Sequence, residues 1–481
     1  MSYEEEMTTA GAHHPSGPPP PRSRLRADLR EAIRGSSQDY TEGPIDRALL
    51  LLAVPMVLET VMESVFALVD VFWVSRLGSN AITVVGLTES LLILIYTLAL
   101  GLSIGATATV ARRIGEKDPE GAARSAVQAI ALGFAVAAAL GVLGVVYAPE
   151  LLALMGASPT VVAEGSGYAR IMYGGNATVL LLFLLNAVFR GAGDAAIAMR
   201  VLWLANGINI VLGPFFIFGL GPFPEMGVTG AAIATNIGRG TAVIIQLVTL
   251  FRGKGRVRVR REHLHLEPEI LSRIVRLSGS GTFQIFVGEA SFILLIRILS
   301  GFGTEVVAGY TIALRLVIFA LLPAWGLSNA AATIVGQSLG AAKPERAERS
   351  VRLAGYWNMA VLGFAGLVFV VFAPLIVSAF TTDPEPARWG VMCLRIVGLG
   401  FPFYGYGMVM TQAFNGAGDT RTPTLVNIGV FWLFELPAAW FLSRHGLGPN
   451  GVFLAITIAY STVAVVGGAL FRRGRWKETR V

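Results

Sequence analysis

The feature that most constrains the fold is a series of twelve long apolar segments separated by short polar loops. An apolar run of about 20 residues is long enough to cross a bilayer as a helix. The chain is 54% hydrophobic and only 14% charged, whereas soluble proteins are about a quarter charged. The sequence therefore predicts an all-α polytopic membrane protein. The predicted spans lie near residues 48–76, 82–110, 125–147, 167–189, 198–219, 228–251, 275–299, 306–335, 352–380, 390–413, 422–443 and 450–471.

The two halves of the chain repeat one another at an offset of 225 residues. One register holds across nearly a hundred residues, which shared apolar composition alone would not maintain, so the pattern indicates an internal duplication. Each unit has six spans and returns the chain to the same side, which predicts two six-helix lobes related by a pseudo-two-fold axis along the membrane normal. The matching segments are Gly101-Leu-Ser103 with Gly326-Leu-Ser328, Pro119–Ser125 with Pro344–Ser350, and Gly191-Ala-Gly-Asp194 with Gly416-Ala-Gly-Asp419.

The distribution of basic residues predicts the topology. Alternate loops are rich in Lys and Arg, and the positive-inside rule places these loops and both termini in the cytoplasm, with a bacterial inner membrane as the expected location. The net charge of +7 is explained by these loops, so we expect no nucleic-acid partner. The predicted divisions are a disordered cytoplasmic tail (1–46), an N-terminal lobe (47–251), a basic linker (252–274), a C-terminal lobe (275–471) and a basic tail (472–481). Within the first tail, residues 24–34 fit a surface amphipathic helix as well as a solvated segment.

Motifs for catalysis, nucleotide hydrolysis and metal binding are absent from the sequence. There is no Gly-x-x-x-x-Gly-Lys-Ser/Thr segment, all five histidines lie outside the predicted spans, and Cys393 is the single cysteine. We therefore expect no catalytic residue, no metal site and no cofactor other than a coupling ion. Carboxylates inside the spans are the remaining candidates for coupling transport to an ion gradient.

The first span carries three acids. At 100° per residue, Glu63 lies about 40° and Asp70 about 20° from Glu59, so all three share one helix face. A charged carboxylate at mid-membrane costs about 2.5–3.5 kcal/mol on insertion scales, so this face must look into protein or water. We expect Asp70 and Glu63 to exchange H⁺ or Na⁺, and Glu59 is an additional cavity acid.

Other charged and aromatic residues within the spans have two interpretations each. Arg297 and Arg315 fit structural ion pairs, with Glu289 and Glu89 as possible partners on other helices. Glu289 and Glu435 are further possible cavity acids. The aromatic residues Phe403, Tyr404 and Tyr406 fit either ordinary core packing or contact with an aromatic or cationic substrate.

Several segments, taken in order, resemble the multidrug and toxic compound extrusion (MATE) family over about residues 46–471. They are Pro55 with Val69–Gly78, Phe189–Asp194, Asn209–Pro214, Gly227–Thr235 and the repeated Gly-Ala-Gly-Asp loop. The resemblance implies a V-shaped twelve-helix antiporter that expels organic cations or other amphiphiles in exchange for H⁺ or Na⁺. It also implies that Asp70 is a coupling site in the N-terminal lobe, with Asn209 and Thr235 in the same polar network.

Three positions depart from the family pattern. Gly213 stands where the family often has an acid, Tyr404 stands where one branch has an acid in the tenth span, and Glu289 matches that branch's seventh-span acid only with a one-residue shift. The second lobe also has an apolar residue, Ile293 or a close neighbour, where the first lobe has Asp70. We therefore expect coupling through the N-terminal lobe, with Glu63 replacing the acid that is missing at Gly213.

The favoured function is a secondary antiporter, working as a monomer among membrane lipids on small amphiphilic or cationic substrates. One alternative is a flippase for lipid-linked precursors built on a related fold, although twelve spans and an acidic cavity argue against it. An intramembrane enzyme is a second alternative, and it would need paired catalytic groups or metal ligands that the spans lack.

Overall fold

The computed structural model describes residues 21–479 and 481, and within them it has twelve helical segments, some of them divided, that are long and apolar enough to span a membrane, as predicted. The helices of the first half are α1 (Pro21–Arg34), α2 (Ile45–Ser75), α3 (Ser79–Gly115), α4 (Pro119–Val146), α5 (Ala148–Leu154), α6 (Pro159–Gly174), α7 (Asn176–Ala192), α8 (Ala195–Phe218) and α9 (Gly227–Arg252). Helices α6 and α7 together form the fourth span.

The second half repeats this order of six spans. Its helices are α10 (Pro268–Leu299), α11 (Thr304–Gly340), α12 (Pro344–Ser378), α13 (Pro384–Ala417), α14 (Arg421–Asn427), α15 (Leu436–Leu442) and α16 (Pro449–Arg472). Two π-helical segments, Ile428–Glu435 and Ser443–Leu447, belong to the eleventh span with α14 and α15. Short 3₁₀ turns lie at Arg261–His263, Ser300–Phe302 and Arg475–Glu478.

Local sequence signals set the helix boundaries in both halves. Proline, which is favoured at the first helical positions, opens α4, α6, α10, α12 and α13. Gly193 and Gly418 end α7 and α13 with φ of 91° and 85°, a conformation that a residue with a Cβ rarely adopts. These are the glycines of the repeated Gly-Ala-Gly-Asp loop.

The lobes meet through glycines that obey the internal two-fold. A Cβ on Gly101 would lie 2.0 Å from Thr282, and one on Gly326 would lie 2.8 Å from Val57, which holds the same repeat position as Thr282. Likewise, a Cβ on Gly115 would lie 2.0 Å from the carbonyl of Gln337. A Cβ on its repeat counterpart Gly340 would lie 2.2 Å from the carbonyl of Arg112, the counterpart of Gln337. The duplication therefore also organises the interface between the lobes.

All of these close contacts lie in the half of the bundle that carries the linker and both described chain ends, which we call the terminal face. Toward the opposite face, the same sides of these helices are exposed. On α2 the exposed residues in line with Val57 are Val61 and Leu68, and on α11 the one in line with Gly326 is Phe319. The lobes therefore diverge away from the terminal face and enclose a central cleft, as expected for a V-shaped molecule.

The chain before α2 is ordered from residue 21, which corrects the prediction of a disordered tail for residues 21–46, whereas residues 1–20 lie outside the described part. The segment contains α1, and Tyr40 is buried beneath the guanidinium of Arg256, 4.7 Å from its ring centroid. Arg346 donates hydrogen bonds to the carbonyls of Tyr40, Glu42 and Gly43. Apolar burial and backbone hydrogen bonds, absent from a solvated tail, hold the segment in place.

Charged contacts fix both terminal segments to the opposite lobe as well as their own. Partial burial would raise the pKa of Asp39, but hydrogen bonds from Lys117 and Thr41 outweigh it and lower that pKa to about 2. At the other end of the chain, Lys477 pairs with Glu348 at 2.7 Å, and Arg112 of the first lobe donates to the carbonyl of Thr479. Both chain ends therefore bridge the lobes at the terminal face.

Candidate functional site

The three acids of α2 point into the first lobe, as the shared helix face predicts, but they meet different partners. Glu59 is 5% exposed, lies 2.8 Å from the guanidinium of Arg190 and accepts a hydrogen bond from Asn186 at 3.0 Å. Asn186 in turn accepts from Gln246 of α9 at 2.5 Å. Glu59 is therefore part of a buried polar network that ties α2 to α7 and α9.

Glu63 lies one helical turn further along α2 and contacts α8 and α9. Its carboxylate accepts a hydrogen bond from Asn206 at 3.1 Å and lies 3.7 Å from a guanidinium nitrogen of Arg239. Arg239 is 6% exposed and donates a hydrogen bond to the hydroxyl of Tyr96 at 3.1 Å. Glu63 is thus held between an amide and a buried arginine.

Asp70 is half-buried and lies within electrostatic range of Arg239, Glu89 and Tyr168. In the part of the chain that the structure describes, Asp70 makes no hydrogen bond or ion pair. Of the three acids on α2, it is therefore the one whose carboxylate has no polar partner among the described residues.

Asn209 and Thr235, which the family resemblance places in one polar network with Asp70, form a pair beside the acids of α2. Asn209 of α8 donates a hydrogen bond to the hydroxyl of Thr235 of α9 at 2.7 Å, and both side chains are buried. Thr235 is four residues before Arg239, so both project from one side of α9. Gly213 lies beside Trp73, where an added Cβ would be 3.9 Å from the indole.

Two arginines of this cluster were not identified from the sequence. Arg239 lies in the middle of the sixth span, and its signal was a cation in an apolar segment one turn after Thr235. Arg190 comes directly after the predicted fourth span (167–189), but in the structure it lies within α7 and pairs with Glu59. An arginine near a span end is ambiguous because its long side chain can reach either the interface or the lobe interior.

Between the lobes lies a cavity of about 390 Å³. Apolar and aromatic side chains form most of its wall, with a few polar groups among them, which is typical of small-molecule sites. Several helices contribute to this wall, and its lining residues include Arg190, Glu289, Phe292, Trp325, Tyr404 and Glu435.

Of the three aromatic residues predicted to contact substrate in the second lobe, one lines this cavity and two do not. Tyr404 lines it, whereas Phe403 is 48% exposed on the outer surface, and Tyr406 packs on Gly355 beside Tyr356. Phe403 and Tyr406 therefore do not line this cavity, because residues 100° to 200° apart on one helix cannot share its narrow lining face, and their contact with substrate stays a prediction.

Both predicted second-lobe acids reach the cavity wall. Glu435 is 2% exposed and accepts a hydrogen bond from Ser291 at 2.7 Å. It ends the π-helical segment Ile428–Glu435, a geometry frequent at functional sites. Glu289 lines the same cavity.

The prediction of ion pairs for Arg297 and Arg315 is wrong. Both side chains are exposed, and within the described residues neither has a carboxylate within salt-bridge distance. The second lobe also has no acid at the position of Asp70. Ile293 is 68% exposed, and the residue at the repeat offset is Leu295, which is 1% exposed. The lobes therefore differ in their buried charge.

One group of residues at the terminal face has the composition of a metal site. Glu120, Glu262 and His263 bring their ligand atoms within 4.8 Å of one another. However, Arg260 lies 3.4 Å from Glu120 and 3.2 Å from Glu262, and His263 accepts a hydrogen bond from the Arg260 amide at 3.1 Å. The two carboxylates share the Arg260 guanidinium, and Glu120 also contacts the His263 ring, so this group is an ionic contact between the linker and α4.

Comparison with known proteins agrees with this architecture. The family model described as MatE matches residues 55–215 and 282–441, one match in each lobe. The probable multidrug resistance protein NorM of Thermotoga maritima is 26% identical over 91% of this chain and 94% of its own length. The FAD transporter of Shewanella oneidensis is 26% identical over 86% of this chain and 92% of its own length.

A solved structure titled as the outward-facing conformation of a multidrug resistance MATE family transporter has a TM-score of 0.85 and 26% identity. The match covers 92% of this chain and 98% of that chain. With a family model matching both lobes and a shared fold over nearly the whole length, the chain belongs to the MATE family of multidrug efflux transporters.

Proposed function

We propose that this chain is a secondary antiporter that exports organic cations or amphiphilic compounds in exchange for H⁺ or Na⁺, coupled through carboxylates of the first lobe. The observation that carries the proposal is the position of Asp70. Glu59 and Glu63 on the same helix face are paired with arginines, whereas Asp70 makes no such contact in the described part of the chain. A charge-bearing group without a fixed partner in a transporter lobe is suited to reversible binding of a small cation.

The central cavity supports the substrate class. Its wall combines aromatic side chains with two carboxylates, Glu289 and Glu435, and aromatic rings and carboxylates both attract organic cations. The relatives differ in what their names say they carry, drugs for one and FAD for the other. The wall carries these two carboxylates against one guanidinium, that of Arg190, and this net negative charge favours cations over an anionic nucleotide for this chain.

The orientation follows from the basic residues at the terminal face. By the positive-inside rule this face is cytoplasmic, so the cleft opens outward and the lobes would rock apart at their glycine contacts to expose it inward. The chain would act as a monomer in the cell membrane, with no cofactor beyond the coupling ion and no bond-making chemistry.

The test is dye efflux from proteoliposomes under an imposed pH gradient and then a Na⁺ gradient. We expect Asp70→Asn to lower gradient-driven efflux by about tenfold or more, the ratio that a loss of about 1.4 kcal/mol in ion binding produces. Glu385→Gln is the matched control, because Glu385 is an exposed acid at the opposite face. If folded Asp70→Asn protein exports dye at the wild-type rate, coupling does not pass through Asp70.

A further inference from the structure

A buried arginine lies among the acids of the first lobe. Arg239 is in the middle of α9 and is 6% exposed, at a depth where a charged side chain persists only with partners. Its guanidinium lies over the rings of Phe66 and Tyr96, at 5.6 Å and 5.9 Å from their centroids. Arg239 therefore has a fixed place in the lobe.

The contacts of Arg239 are unequal. One nitrogen is hydrogen-bonded to the Tyr96 hydroxyl at 3.1 Å and another is 3.7 Å from Glu63, while Asn206 donates to the second oxygen of Glu63 at 3.1 Å. Asp70 and Glu89 lie only within electrostatic range of the same guanidinium. Glu63, Asp70 and Glu89 therefore all lie near the guanidinium of Arg239, and Glu63 is the one that contacts it.

We propose that Arg239 is an internal counter-ion that holds Glu63 in an ion pair, leaving Asp70, with Glu89 beside it, to exchange the coupling ion. This inference rests on the proposed antiport. It makes Arg239 and Glu63 positioning residues and removes Glu63 from the set of ion ligands. The groups that face this cluster are Glu63 and Asp70 of α2, Glu89 and Tyr96 of α3, Tyr168 of α6, Asn206 and Asn209 of α8, and Thr235 of α9.

The proposal predicts an order among charge-neutralising variants. In Glu63→Gln, Arg239 loses its contacting carboxylate, and its charge acts on the remaining acids, Asp70 and Glu89, where it opposes proton uptake. In the double variant Glu63→Gln/Arg239→Gln both charges of the pair are gone, so Asp70 is again free to exchange. The second change is therefore expected to repair the first, as for an ion pair whose members are costly only when separated.

Two measurements on the purified full-length protein test this order. One is dye efflux under a pH gradient. The other is infrared detection of the protonated carboxyl band of Asp70 as the pH is lowered, assigned by its absence in Asp70→Asn. We expect Glu63→Gln to lower efflux about tenfold and to suppress the Asp70 band, and the double variant to recover the band and to come within about threefold of wild-type efflux.

Two further variants keep the test specific. Arg315→Gln removes an exposed arginine of α11 that has no salt bridge among the described residues, so Glu63→Gln/Arg315→Gln is expected to remain as impaired as Glu63→Gln. Arg239→Lys retains the charge if Arg239→Gln protein does not fold, and it is expected to keep the Asp70 band of the wild type.

The proposal is overturned if the double variant is no better than Glu63→Gln in both measurements, or if Arg315→Gln repairs Glu63→Gln equally well. An absence of gradient-driven efflux in the wild type would instead contradict the proposed antiport. The infrared measurement does not depend on transport and would still decide the role of Arg239.

Discussion

At the scale of single residues, the acids of the first lobe differ in the side chains with which they pair. Glu59 and Arg190 form a buried ion pair supported by Asn186, and Glu63 and Arg239 form a longer one. Asp70 differs because no described side chain forms a hydrogen bond or an ion pair with its carboxylate. Charges of one chemical type on one helix face therefore have different roles, set by which neighbouring helix offers a cation.

The Glu59–Arg190 pair is expected to contribute to stability. Glu59→Leu leaves a mostly buried guanidinium without its carboxylate, a loss that costs on the order of 3–5 kcal/mol for buried pairs in soluble proteins. We expect a lower midpoint of thermal unfolding in detergent for Glu59→Leu, and a smaller decrease for Glu59→Gln, because its amide oxygen still accepts from Asn186 and Arg190.

The paired substitution Glu59→Leu/Arg190→Leu serves as the control, because it removes both charges. Its unfolding midpoint should lie above that of Glu59→Leu alone. Equal midpoints for these two variants would show that the ion pair is not the reason for the loss.

At the scale of helices, close approach between the lobes depends on glycine. Gly115 ends α3, and its Cα faces the carbonyl of Gln337 on α11 so closely that a methyl group would overlap it at 2.0 Å. Backbone atoms cannot move aside as a flexible side chain can, so the helices themselves must separate. The same holds for Gly340, the repeat counterpart.

We therefore expect Gly115→Ala to push the lobes apart at the terminal face. Distances between spin labels at Arg124→Cys and Arg352→Cys, in a Cys393→Ser background, would shift toward longer values and broaden. Gly279→Ala is the matched control, since an added Cβ there meets nothing within 4 Å. Equal distributions for the two variants would contradict the tight-contact interpretation.

At the scale of the whole molecule, the terminal segments join the two lobes. The segment around Tyr40 contacts Lys117 and Arg256 on one side and Lys343 and Arg346 on the other. Any movement that opens the terminal face must break some of these bonds. The segments therefore bias the transporter toward the conformation in which that face is closed.

Arg346→Ala is expected to release the N-terminal segment, because it removes hydrogen bonds to three of its backbone carbonyls, those of Tyr40, Glu42 and Gly43. Trypsin should then cleave after Arg34 faster than in the wild type, measured as the half-time of the intact band. Arg349→Ala, one turn further along α12 and exposed, should leave the half-time unchanged. If both variants are cleaved alike, Arg346 does not hold the segment.

The sequence by itself determined the architecture. Apolar segments of spanning length permit only helices in a bilayer, and a repeat held at one offset of 225 residues requires two equivalent lobes. It also determined that the α2 acids face inward, because the 100° step between residues fixes a shared face. The pairing of Asn209 with Thr235 followed from family resemblance.

Only the tertiary structure decided which charges are paired and which are free. Arg190 and Arg239 reach Glu59 and Glu63 from helices more than a hundred residues away in the chain, and no local pattern encodes that contact. Likewise, Tyr404 faces the cavity while Phe403 and Tyr406 do not, because helix rotation is set by packing against neighbours. Helical periodicity acts along one element, whereas ion pairs and cavities arise between elements, and so they depend on how the helices pack.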